Sequence, residues 1–120
     1  MNPITALHPT PKAWLLGSIL APYAELFAAR LEQGRYSVNT TKKYLGGIAH
    51  LARWMTHCGF HVRLLDDSAV EAFLGKHLPR CDCPKPVVRV YGDLRAACHH
   101  LLQMLREQCV IGRLLAESGS

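Results

Sequence analysis

The sequence predicts an all-α protein: a compact bundle of four main helices behind an N-terminal arm. Two observations carry that expectation. Apolar residues recur at steps of three and four in four stretches, and a capping residue, proline or glycine marks most of their ends. The 120 residues, 49% apolar and 19% charged, suit one folded domain with a real core. Its expected bounds are 20–111, with 1–19 as the arm and 112–120 as the start of a linker or an added tail.

Met1 to Pro11 holds three prolines and no period, which predicts an extended arm, with Trp14, Leu15 and Leu16 folding back onto the body. The first main helix should begin near Ala21, with Pro22 in its first turn. Tyr23, Leu26, Phe27, Arg30 and Leu31 mark one side, and Gly34 should end it in a left-handed cap. Ser37 is a good N-cap for the second helix, which should run to Cys58 and stop at Gly59. Thr41, Tyr44, Ile48, Leu51 and Met55 define its core side. Lys42, Lys43, Gly46, Gly47, His50 and Arg53 define the other. Asp66 should cap a third helix that turns Val70, Phe73 and Leu74 inward and stops at Pro79. Arg80 to Pro86 reads as a loop. The fourth helix should cover Val88 to Gln108, or start at Asp93, and bury Leu94, Ala97, Leu101, Met104 and Leu105. Cys109 is not a natural left-handed cap, so its exact end is open.

The pattern Tyr36-Ser37-x-x-Thr40-x-x-x-Tyr44, continuing through Ile48, Leu51, Trp54 and Met55, resembles the second helix of the core-binding domain of tyrosine recombinases, the phage-integrase family. The likeness follows helix order from about Ala21 to Ile111. It implies a SAM-like helical domain that clamps one side of double-stranded DNA through its second and fourth helices. It further implies other recombinase protomers as partners, a bacterial cytoplasm or nucleoid, and a mobile-element role in DNA integration or recombination. Catalysis would belong to a separate C-terminal domain. Tyr23, Tyr36, Tyr44 and Tyr91 match none of that domain's motifs, so no catalytic residue and no enzymatic activity is expected of this chain.

A net charge of +5 and a pI near 9.1 favour a polyanionic partner without proving one. On the second helix, Lys42 and Lys43 would neutralise phosphates while Asn39, Thr40 and His50 add hydrogen bonds. The plain alternative is a solvated helix face. Gly46 and Gly47 each cost about 1 kcal/mol relative to alanine within a helix, a cost explained by close approach of a phosphate or of the fourth helix. Arg89, Arg95 and His99 form the second expected DNA face, against the alternative of an ordinary polar side.

Five cysteines, an odd number, in a helical chain predict reduced cytoplasmic thiols. No signal peptide or membrane span is expected. His77-x-x-x-Cys81-x-Cys83, completed by Cys98, His99 or His100, could bind zinc. Its cysteines are separated by one residue rather than the usual two to four. That spacing favours a loop with one buried thiol, and no cofactor is expected. The rival function is a protein-interaction module that docks partners through Trp14, Leu15, Leu16, Leu114 and Leu115, with zinc as an optional staple.

Overall fold

Ser37 turns the chain into its longest helix. Its hydroxyl accepts the Thr40 N–H at 3.1 Å, and the helix runs Val38–Cys58 until Gly59, at φ 63°, carries the chain out. In this computed structural model, which describes residues 4–81, 83 and 88–111, five α-helices surround one core: α1 Pro9–Leu16, α2 Ala24–Gln33, α3 Val38–Cys58, α4 Asp67–Ala72 and α5 Tyr91–Glu107. The described residues contain no strand. The protein is all-α. Segments 84–87 and 112–120, the latter holding Leu114 and Leu115, lie outside the described residues.

The bundle is built around α3, which packs chiefly against α1 and α5. Leu45, Ile48, Leu51 and Met55 meet Phe27 and Leu31 of α2, Phe73, and Leu94, Leu101 and Leu105 of α5 in one buried cluster. Burying each such side chain stabilises the fold by roughly 1.5–3 kcal/mol. Met104 and Ala97 are buried as their spacing predicts. Asp66 caps α4 by accepting the Ala69 N–H at 2.8 Å, and Val70, Phe73 and Leu74 turn inward.

Four expectations are corrected. Pro9 to Pro11, expected in the extended arm, instead open the helix Pro9–Leu16. His8 Nδ1 accepts the Thr10 N–H at 3.2 Å, the prolines sit in a first turn that needs no N–H donors, and Leu15 is fully buried. Leu26 faces solvent, and Ala24 and Ala28 take the buried side of α2 instead. Gly34 keeps φ −77° and the left-handed residue is Arg35, at φ 65°. Val88 to Val90 precede α5 in non-helical form, and Asp93 lies in its first turn rather than capping it. The end of α5, left open by the sequence, is made by Cys109 at φ 59°.

The third helix does not simply stop. After α4 the chain widens into a π-turn, Phe73–His77, and then tightens into a 3-10 turn, Leu78–Arg80, that accommodates Pro79. Wide turns of this kind often re-aim a side chain at a functional position. Here the re-aimed group is His77, whose ring stacks on Phe73 at 5.5 Å between centroids and 16° between planes.

Candidate nucleic-acid interface and thiol–imidazole cluster

The two sides expected of α3 are not one core side and one wet side. Gly46, Gly47 and His50 are all buried, because the small residues let α5 and the segment before it come close. A Cβ on Gly46 would stand 2.9 Å from Val88 Cγ2, and one on Gly47 would stand 3.1 Å from Ala97 Cβ. Gly47 therefore serves the packing of α5 on α3, and Gly46 that of the segment before α5. Of the charged residues on that side, Arg53 lies over the Trp14 ring, with its guanidinium carbon 4.9 Å from the centroid.

Two basic residues, Lys42 and Lys43, stand in the first turns of α3. Asn39, Lys42 and Lys43 line an open groove together with Ala6, Leu7, His8 and Pro11 and with Gly46 and Val88. Lys43 Nζ also lies 3.9 Å from Asp93 Oδ2, tying the rim to α5. Thr40 is half-buried and its hydroxyl accepts from Ser37 at 3.0 Å, so it belongs to the helix cap. Arg95 and His99 are exposed on α5, one helical turn apart and outside that groove. Arg89 is exposed too, but its guanidinium donates to the Cys81 carbonyl.

His50 departs most from its expected place. Its ring is 0% exposed, which removes it from any DNA-facing surface. Nδ1 lies 2.8 Å from the Val88 carbonyl. A carbonyl only accepts, so Nδ1 carries the proton and Nε2 presents a lone pair. That nitrogen faces His77 Nε2 at 3.3 Å and Cys81 Sγ at 3.2 Å. Cys83 Sγ lies 3.8 Å from His77 Nε2, and the Cys83 N–H donates to Cys81 Sγ at 3.4 Å. Burial lowers the pKa of His50 to about 4, with the Val88 hydrogen bond opposing the shift. The Cys83 thiol is raised by burial and by its hydrogen bond to Cys81, and Arg53 opposes that rise.

The residues expected to complete a metal set do not do so. Cys98 is sealed in the core, where burial pushes its thiol up to about 12. His99 is exposed. His100 pairs with the Tyr36 hydroxyl at 3.2 Å and packs against Tyr44, and burial lowers its pKa. The fourth member is His50. It stands 27 residues before His77, and the available signal was its helical step from Gly46, which places both on one face of α3.

Among the described residues no helix is long and apolar enough to cross a membrane. Of the residues expected to dock a partner protein, Leu15 is buried, Trp14 half-buried and Leu16 exposed. Comparison with known proteins finds no matching family model, no matching curated protein and no matching solved structure.

Proposed function

We propose that this chain binds double-stranded DNA in the manner of the core-binding domain of a tyrosine-type recombinase. The observation that carries this reading is the groove at the start of α3, where Asn39, Lys42 and Lys43 stand together, with Lys43 also 3.9 Å from the Asp93 carboxylate beside it. The net charge of +5 supports it, as does the all-helical bundle that the resemblance implies. Lys42 and Lys43 displace counterions from phosphates, Asn39 adds a hydrogen bond to the backbone or a base edge, and Arg95 and His99 extend the contact along α5. The chain binds and positions the duplex. Strand cleavage belongs to a separate domain.

The test is fluorescence anisotropy of the chain with a labelled duplex over a range of salt concentrations, wild type beside a Lys42→Glu, Lys43→Glu double variant. Log affinity should fall linearly with log salt. The double variant should bind more weakly, with a salt slope shallower by about one for each phosphate that it no longer neutralises. Absence of binding at low salt, or a variant indistinguishable from wild type, overturns the reading.

A further inference from the structure

We propose that His50, His77, Cys81 and Cys83 form a structural zinc site that staples the loop after α4 to the middle of α3. The assignment does not rest on the DNA-binding reading.

One ligand atom from each residue can be chosen so that all four lie within 4.8 Å of one another. A tetrahedral zinc with Zn–S of about 2.3 Å and Zn–N of about 2.0–2.1 Å requires N···N edges of about 3.3–3.4 Å and N···S edges of about 3.5–3.6 Å. The observed edges are 3.3 Å between the two Nε2 atoms, 3.2 Å from His50 Nε2 to Cys81 Sγ and 3.8 Å from His77 Nε2 to Cys83 Sγ. Side chains from a helix, a π-turn and a loop thus already hold these three donor pairs near the edge lengths of a metal tetrahedron. Ordinary packing brings no need for two thiols and two imidazoles to turn their donor atoms toward one point.

The surroundings fit the same role. The Val88 carbonyl holds the His50 proton on Nδ1, leaving Nε2 as the donor, as an outer hydrogen bond commonly does for a metal-bound imidazole. The Cys83 N–H directed at Cys81 Sγ stabilises negative charge on that sulfur. His50, Cys81 and Cys83 are buried and His77 is half-buried. On binding, the two thiols lose their protons to solvent and the two imidazoles supply lone pairs, so two thiolates balance the dication. Two sulfurs and two nitrogens select zinc over harder cations. Four protein ligands leave no position for a substrate or water, which makes the site structural. Its effect is to fix the part of the loop that carries Cys81 and Cys83 against α3.

The experiment uses the full chain, purified under reducing conditions without chelator. Elemental analysis should find one zinc per chain. Metal-free protein titrated with cobalt(II) should develop the visible bands of tetrahedral cobalt and a sulfur-to-cobalt charge-transfer band, and both should disappear when zinc is added. Cys81→Ser, Cys83→Ser and His50→Ala should lose stoichiometric metal, whereas Cys58→Ser and Cys109→Ser, at exposed thiols, should keep it. Zinc should raise the Tm of the metal-free wild type and leave that of Cys81→Ser unchanged. The cobalt titration needs only wild-type protein, so a variant that fails to fold leaves the proposal open to refutation. Wild-type protein that lacks zinc and gives no tetrahedral cobalt spectrum overturns it, as does a Cys81→Ser variant that keeps the charge-transfer band at full strength.

Discussion

A methyl group placed on Gly47 would stand 3.1 Å from Cβ of Ala97 and 3.5 Å from Cδ2 of Leu94. The α3 and α5 backbones approach closely there, and both neighbours belong to a helix that cannot easily retreat. Gly47→Leu should therefore destabilise the fold by roughly 1–3 kcal/mol, through overpacking that outweighs the better helix propensity of leucine. Gly92, in the first turn of α5, has nothing within 4 Å of an added Cβ. Gly92→Ala should stabilise by about 0.4–1 kcal/mol. Urea unfolding of the two variants against wild type checks both signs.

The Leu15 side chain is fully buried from a segment whose prolines suggest no helix. Leu15→Ala should cost about 2–5 kcal/mol, the usual range for emptying a packed leucine site. If residues 9–16 were a loose arm, the substitution would leave the urea midpoint unchanged.

Arg35 holds φ 65° between α2 and Ser37. A left-handed conformation costs a side chain with a Cβ about 1–2 kcal/mol, and glycine escapes most of it. Arg35→Gly should raise stability by about 0.5–1 kcal/mol after the added chain entropy of the unfolded state is subtracted. A fall in the thermal midpoint would show that the Arg35 side chain contributes more than its backbone costs.

Cys98 titrates near 12 in the folded protein because burial disfavours its thiolate, against 9.0 for the ordinary thiol. The folded pKa lies above the unfolded one, so the unfolded chain loses this proton first. The stability the group contributes is complete below pH 9.0 and is lost progressively as the pH rises from there toward about 12. Unfolding midpoints measured on both sides of pH 9.0 should fall more steeply in wild type than in Cys98→Ala. In native protein a thiol reagent should label the exposed Cys58 and Cys109 and leave Cys98 untouched until denaturant is added.

Much of this molecule was legible in its sequence. Ser37 and Gly59 bound the central helix as expected, because a hydroxyl acceptor and a residue tolerant of positive φ act within a few residues of themselves. The inward positions of α5 and of the segment from Asp66 to Leu74 followed from helical periodicity for the same local reason. Local rules also gave His77, Cys81 and Cys83 as a possible ligand set. They placed the left-handed turn one residue early, at Gly34, because the sequence shows which residue tolerates that conformation and not which residue the chain's path forces into it.

The tertiary structure decided what lies opposite what. His50, Gly46 and Gly47 share a helix with lysines and an arginine, and amphipathic periodicity assigns such a side to solvent. Only the crossing of α5 shows that the middle of α3 is covered on both sides. Residues 9–16 likewise become a helix because Leu15 finds a place in the core, a gain that no local propensity contains. The fourth member of the thiol–imidazole cluster is 27 residues from the nearest of the other three. Periodicity and capping act over a few residues, whereas a ligand set is closed by packing between elements distant in the chain.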